Sequence, residues 1–597
     1  MLSWLFAAAV ASTLAFLQYR FGGTHRATVP LVLRATALTI VIALLFDAPI
    51  GPAGSVRAYT ALDASASWLA SGDGALWQRA VKSADSVGAD SLLLIGDSVR
   101  VGKAPTVPVD GASRTAPLLE RALGAGRPVT LITDGRVDDP ERLKELPSGS
   151  HVIVLEAAPK RDGAIVSLDG PSAVVTGDTV EFTAVLAAGG IGAGAGRLDV
   201  TLGGAPLVSS PVDSLAPYAE REVRMRALIS GAPGVRLLRA VLTSAGDAIA
   251  RNDTLSASLD VARGASAVFV STAPDFDGRY ALDVLRGTLA VPTRGYFRVA
   301  PGNWRVDGSL AAVSEEEVRR SLADAPLAVL HGDTALFGAP RTLTHGALAL
   351  LAPPTQKGDD YYATGAPPSP LAAALGSLQW DSLPPVELGD GGRDAEWVGV
   401  TTRRGRRFDE RPLVFGTSKP RRIVVIPATG LWRWRFRGGR SADSFTALWG
   451  SIFDWMTGDA TDVRVARPAA AWVRAGEPVR WRRGNPKDSV ATVTITARGS
   501  TKSETLALRF AGEGGIAESA ALAPGIYDTK ANGAEGLLVV NNSAEWLPRR
   551  AVVKSGAIGT SAAADRAPRS RSAWWLYALA LTALCAEWIL RRKAGLR

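Results

Sequence analysis

Three stretches of the chain are apolar almost without a break, and each predicts a membrane-spanning helix. Residues 2–19 carry no charge before Arg20, and a second run covers 35–50. The third, 573–590, reads AWWLYALALTALCAEWIL. Each is close to the length that crosses a bilayer. A secretory signal would open on basic residues, which 2–19 lacks, so a retained anchor is expected. Arg20, His25, Arg26 and Arg34 lie between the first two runs, and the positive-inside rule places that loop in the cytoplasm. In the third run Trp574 and Trp575 mark one interface. Trp588 and Arg591-Arg592-Lys593 mark the other, with Glu587 within a turn of that end. No further long apolar run intervenes, so parity puts residues 51–572 outside the inner membrane.

Between these runs the hydrophobic period changes several times. From 55 to 160, apolar strand-like runs (56–62, 91–95, 128–133, 151–155) alternate with helical stretches (75–86, 116–123). This βαβ order implies a parallel sheet. From 161 to 262 the period becomes two, as in DTVEFTAV, with Gly-rich turns such as 187–196. That pattern predicts an antiparallel, immunoglobulin-like sandwich without a cysteine pair. The βαβ order returns over 263–465, and period two returns over 466–550. The expected fold class is multidomain α/β plus β-sandwich with transmembrane helices: two Rossmann-like α/β domains alternating with immunoglobulin-like sandwiches. The expected layout is 1–50 (two spans), 51–160 (α/β), 161–262 (sandwich), 263–465 (α/β), 466–550 (sandwich), 551–572 (an Ala/Ser/Gly/Arg linker) and 573–592 (a span).

Composition narrows the function classes. The 597 residues exceed one core, and 47% hydrophobic with 21% charged residues fits globular domains plus spans. The net charge of +10 raises nucleic acid as a partner. No basic block with interleaved aromatics supports it, so no nucleic acid is expected. The arginines 403, 404, 406 and 407 are expected in a solvated loop. Cys585, the single cysteine, sits in an apolar run, so no disulfide, thiolate metal site or exposed nucleophile follows. The four histidines show no metal-ligand spacing. No P-loop, G-x-G-x-x-G or H-E-x-x-H occurs.

The chemistry-bearing stretch is 56–67, VRAYTALDASAS, together with 129–135, VTLITDG. Asp63, Ser65 and Ser67 form D-x-S-x-S after one strand, and Asp134-Gly135 closes another. Thr115 opens a helix between them. Loops at the carboxyl ends of neighbouring strands converge on one crevice. Two carboxylates and three hydroxyls there form an all-oxygen set suited to Mg²⁺. The order resembles the metal-ion-dependent adhesion site of von Willebrand factor A domains, here with its two acidic segments unusually close in sequence. The resemblance implies Asp63, Ser65, Ser67, Thr115 and Asp134 as the coordinating set, with a partner protein's carboxylate completing the shell.

Over 263–465, the strand leading into Gly430-Leu431-Trp432-Arg433-Trp434 and the helix SFTALWGSIFDWM resemble the class I glutamine-amidotransferase-like domain of bacterial membrane proteins. That activity needs a Cys–His pair, and Cys585 lies in a span, so a degenerate, non-enzymatic domain is expected. His331 follows a strand, where a lone His is more often structural. The alternation of Trp432 and Trp434 with Arg433, Arg435 and Arg437 predicts a strand edge with tryptophans on one face. The domain order as a whole resembles membrane-anchored bacterial proteins of the aerotolerance (Bat) type. It implies a non-enzymatic, multi-pass inner-membrane protein that mediates protein–protein interaction or scaffolding in the envelope. The alternative is a hydrolase or ligand-binding receptor using 263–465.

Overall fold

The computed structural model describes the whole chain except residues 1, 22–27, 51–56, 72–73, 89–90, 290, 340–342, 357, 377, 392–394, 406–408, 458–465, 485–488, 511–515, 562–568 and 594–597. His25, Arg26, Arg406 and Arg407, and the first residue of the 56–67 stretch, lie outside the described residues.

Helices α1 (Leu2–Phe21) and α2 (Thr28–Leu45) pack together, and α2 also packs on the C-terminal helix Trp574–Lys593. Alanines make this approach close: Ala7, Ala11, Ala15, Ala37, Ala43, Ala580 and Ala583 are all buried. At one end Glu587 accepts from the Tyr19 hydroxyl at 2.6 Å and from Arg34 at 3.2 Å. Among the described residues, Thr28–Leu45 is the helix long and apolar enough to cross a membrane, with mean hydropathy 2.1. A span and a signal sequence both satisfy that criterion. The expected three spans therefore have compositional support for one. Three Trp, a Tyr and Glu587 dilute the C-terminal helix.

The first sheet is built from β1 (Tyr59–Asp63), β2 (Leu92–Ile95), β3 (Arg100–Val101), β4 (Val129–Thr133) and β5 (Ser150–Val154). Its order is β3-β2-β1-β4-β5, and Gly556–Ile558 adds the outer strand. The four strands β2, β1, β4 and β5 are parallel. Helices cover both faces. Ala75–Val87 buries Trp77 and Ala80 with Leu62, Trp68 and Ile132, while Ala116–Ala125 buries Leu118 and Ala122 with Ala61, Leu93 and Leu131. The chain leaves β1 towards β2 on one side and returns to β4 on the other. A crevice therefore opens beyond the carboxyl ends of β1 and β4.

Period-two burial yields paired sheets over 163–262, one of five strands and one of three. Phe182, Ala184 and Leu186 alternate inward on one strand and Leu198, Val200 and Leu202 on another. Residues 466–541 repeat the theme with three- and five-stranded sheets. Between them a 12-stranded sheet has a parallel centre ordered Thr293–Ala300, Ala267–Ser271, Leu327–His331, Ala347–Leu351, Ile423–Ile426. Antiparallel strands extend it beyond Ile423–Ile426.

Two expectations are corrected. Trp432–Arg437 is a short helix, not a strand edge. Gly430, at φ +99°, ends the preceding strand, and the Asp277 carboxylate accepts from the Gly430 and Trp432 amides, both at 2.6 Å. An anion at those free amides favours a helical start. The 551–572 linker is also not a free tether. The Val552 and Val553 amides donate to the Gly135 carbonyl, and Gly556–Ile558 pairs antiparallel with β5.

Candidate functional site

Asp63 is the last residue of β1 and is 0% exposed. Its Oδ1 accepts from the Ser65 amide at 3.0 Å and its Oδ2 from the Thr133 hydroxyl at 2.8 Å. The Ser65 and Ser67 hydroxyls are bonded to each other at 2.9 Å, and the Trp68 indole donates to the Asp63 carbonyl at 2.9 Å. These bonds fold the D-x-S-x-S loop tightly back beneath its strand.

Asp134, one residue beyond β4, is 2% exposed. Its Oδ1 accepts from the Arg136 amide at 3.0 Å. Its Oδ2 is buried without a hydrogen-bond partner, with the Arg136 guanidinium 3.9 Å away. Burial first, and the nearby Asp134 charge second, push the Asp63 carboxyl well above its ordinary range. Asp63, Ser65, Ser67 and Asp134 are thus all buried near the carboxyl ends of β1 and β4, with Thr133 bonded to Asp63 and next to Asp134 in sequence.

Thr115 is buried but faces elsewhere. Its hydroxyl and amide both donate to Asp139 Oδ1 at 2.7 Å, while the Ala116 amide donates to Asp139 Oδ2 at 2.8 Å. Asp139 thereby caps the helix that Thr115 opens. Next to it, Ser113 Oγ donates to the Arg136 carbonyl at 2.8 Å and to Glu545 Oε1 at 3.1 Å.

Glu545 comes from the far end of the chain and is 1% exposed. Arg549 pairs with it at 2.6 Å and with Asp138 at 2.8 Å. Burial, opposed by Arg549, pushes the Glu545 carboxyl up to about 7. The 56–67 and 129–135 stretches, which contain Thr133 without assigning it a role, did not flag Ser113, Asp138, Asp139, Glu545 or Arg549. Thr133 is the threonine of T-D-G, and Asp138 and Asp139 follow it closely in sequence, which is a usable signal. Glu545 stands in SAEWLP, which holds no pattern that announces a ligand.

The residues fit a hard cation in donor type. Asp134 Oδ2 is an orphaned buried oxygen, and the neighbouring donors are carboxylate and hydroxyl oxygens. Among the described residues, no three His, Cys, Asp or Glu side chains converge closely enough to hold an ion by themselves.

In the 12-stranded sheet His331 is 1% exposed. Its Nδ1 lies 2.9 Å from Ser271 Oγ and its Nε2 3.2 Å from Asp275 Oδ1. Burial pushes the Asp275 carboxyl up, but the hydrogen bond and charge of His331, with the Gly278 and Asp277 amides, outweigh it and hold Asp275 below its usual value. This Ser–His–Asp chain has the residues of a hydrolytic triad. However, Ser271 is 0% exposed, and helix Phe276–Leu289 packs onto the histidine so closely that a Cβ on Gly278 would sit 2.7 Å from Nδ1. Asp277, two residues beyond Asp275, accepts also from the Thr429 hydroxyl at 2.9 Å.

No family model matches the chain, and no curated protein matches it. Among solved structures, a CARDB domain from Pyrococcus furiosus in complex with di-metal ions aligns at 20% identity with a TM-score of 0.16. That alignment covers 17% of this chain and 94% of the domain. A Niemann-Pick type C2 protein from the Japanese carpenter ant aligns at 7% identity and TM-score 0.14, covering 18% of this chain and 100% of that one. A beta-glucosidase from Listeria innocua in complex with isofagomine aligns at 10% identity and TM-score 0.13, over 38% of this chain and 50% of the enzyme. Likenesses this distant leave the function of the chain to its own residues.

Proposed function

We propose that the chain is a non-enzymatic, membrane-anchored envelope protein that binds protein partners through a cation site in a von Willebrand factor A-like domain. In this reading Asp63 and Asp134, with the hydroxyls of Ser65 and Ser67, hold Mg²⁺ directly or through water. Thr115 would take part only if its hydroxyl left Asp139. The bound ion would supply a Lewis-acidic position for a partner's carboxylate. The protein's residues exclude water, orient the two acids and hold the loop rigid through Thr133 and Trp68. The observation that carries the reading is Asp134 Oδ2, a buried carboxylate oxygen without a partner beside a second buried acid. Arg136 offsets its charge from 3.9 Å without a hydrogen bond, and a directly bound cation would satisfy that oxygen. Three membrane helices, with residues 51–572 outside the bacterial inner membrane, complete the proposal.

The alternative, a hydrolase or receptor in the 12-stranded domain, draws on Ser271–His331–Asp275. The burial of Ser271 and the close packing of helix Phe276–Leu289 on His331 argue against it. Calorimetric titration of Mg²⁺ and Mn²⁺ into the detergent-solubilised full chain tests the first reading. Saturable binding that Asp134→Asn abolishes is expected. An absence of binding, or equal binding by the variant, overturns it.

A further inference from the structure

An aromatic cluster stands at the carboxyl edge of the 12-stranded sheet. Phe276 opens the helix after Ala267–Ser271, and Trp432 opens the short helix after Ile423–Ile426. The sheet reverses its strand order here, because Ala267–Ser271 pairs with Thr293–Ala300 on one side and Leu327–His331 on the other. Open α/β sheets meet ligands at such switch points. The Phe276 and Trp432 ring centroids are 5.5 Å apart. Tyr280 adjoins Phe276 at 6.3 Å, and Phe436 adjoins Trp432 at 6.1 Å.

The short helix explains why its rings face outward. Trp434 is 0% exposed and its indole donates to the Pro384 carbonyl at 2.8 Å. Trp432 and Phe436, four residues apart, therefore share the opposite face. Phe276 is 54% exposed and Phe436 76%. One exposed ring is ordinary, but four in contact make a patch that marks a binding surface. Arg279, Arg435 and Arg437 flank the rings in sequence and are exposed. Among the described residues no carboxylate lies within ion-pairing distance of these three, and Arg437 donates only to the Ser382 carbonyl. The acids nearby are already engaged: Asp275 by His331, Asp277 by the Gly430 turn and Glu387 by Arg433.

The patch also lies far from the terminal helices. Those helices join the chain at the amino edge of the first sheet, where β1 begins and the Ser148 amide donates to the Ser561 carbonyl just before β5. The carboxyl edge of that sheet meets one end of the first sandwich, with Asn252 on the Trp546 carbonyl and Arg550 over the Tyr218 ring. The other end of the sandwich holds the amino edge of the 12-stranded sheet through Asp178 and Arg294, 2.7 Å apart. The strand Thr179–Ala188 runs the length between. The edge that bears the rings is the last in this series.

We propose that this edge binds an acidic polysaccharide. The exposed rings stack on the C–H faces of successive sugars, and the planar guanidinium forks grip their carboxylates. The steps between ring centroids are close to the length of one sugar ring, and an open surface suits a chain that runs past it. The inference needs neither the cation site nor the closed Ser271–His331–Asp275 chain.

Binding of polygalacturonate to the full chain in lipid nanodiscs, with empty discs as blank, tests this. Dextran serves as the neutral glycan and poly-glutamate as the polyanion without sugar rings. Wild-type protein is expected to bind polygalacturonate and neither of the others. Phe276→Ala with Phe436→Ala should weaken binding roughly tenfold or more, while Phe276→Tyr with Phe436→Trp keeps the rings and should stay within a few-fold of wild type. Arg435→Gln with Arg437→Gln should weaken binding and flatten its salt dependence. D134N should bind as wild type does, which separates this surface from the cation site. Equal binding of poly-glutamate would show a surface that reads charge alone, as an acidic protein segment would supply, and overturns the inference. Absence of polygalacturonate binding, or full binding by the double alanine variant, overturns it as well.

Discussion

At the scale of single residues, the two sheets with parallel centres handle buried acids in opposite ways. Asp277 is satisfied on all sides: Oδ2 accepts from Thr429 Oγ1 and the Gly430 amide, and Oδ1 from the Trp432 amide. It acts as a structural pin between helix Phe276–Leu289 and the Gly430 turn. Asp277→Ala strips that turn of its acceptor and leaves its donors buried, which should cost about 3 kcal/mol of stability. Asp277→Asn, which keeps one acceptor oxygen, should cost less. Urea unfolding followed by tryptophan fluorescence, with Trp434 and Trp449 buried nearby, checks the order. Equal stability in all three proteins would show that the turn holds without the pin. Asp63 and Asp134 lack this completeness, because one of their oxygens has no donor at all. That difference separates a carboxylate that finishes a fold from the one on which the proposed cation site rests.

At the scale of elements, a strand or helix was legible wherever one face alone repeats. The sandwich strands follow period two, and Ala75–Val87 follows the helical period. Trp432–Arg437 misled because alternating Trp and Arg over six residues fits a strand, while the cause of the helix, Asp277, lies some 150 positions upstream. The strap formed by residues 544–558, which pairs with β5 through Gly556–Ile558, shows the same limit. A three-residue edge strand has no period, and Glu545 reaches the first site through contacts spanning more than 400 residues. By contrast, D-x-S-x-S and T-D-G each sit within one loop, so they could be read locally, whereas the rotation of Thr115 towards Asp139 could not. The strap's other anchor predicts a pH dependence. Asn252 donates to both the Trp546 carbonyl and Asp162. Burial, aided by Asp247, pushes Asp162 and Asp253 up to about 7. The folded state then holds protons that the unfolded chain releases near pH 4, so stability falls as pH rises from about 4 to 7 and is lowest above that window. Thermal unfolding should therefore come earlier at pH 8 than at pH 5, with Asp253→Asn flattening the difference. A slope that the variant leaves intact would assign it to other groups.

At the scale of the whole molecule, the chain passes between its terminal helices and the rest of the protein at one place, entering and leaving side by side. Pro49 bridges to Arg569, the Ser570 amide donates to the Ala48 carbonyl at 2.9 Å, and the Trp4 indole donates to the Pro49 carbonyl at 2.7 Å. The opposite end of the helix bundle gathers Tyr19, Arg34 and Glu587, with Arg591 3.6 Å from Glu587. A charged knot at one end and this passage at the other suit helices that run antiparallel through a bilayer, with polar groups kept near the far interface. Trp574 and Trp588, both exposed near the two ends of the last helix, suit interfacial belts. The proposed topology then makes a sharp forecast with cysteine labelling, because Cys585→Ser leaves a cysteine-free chain. Asp213→Cys, on an exposed sandwich loop, should react with a membrane-impermeant maleimide on intact spheroplasts. Arg592→Cys, beside the charged knot, should react only after permeabilisation. Labelling of both in intact cells would mean that the last helix lies along the membrane or outside it.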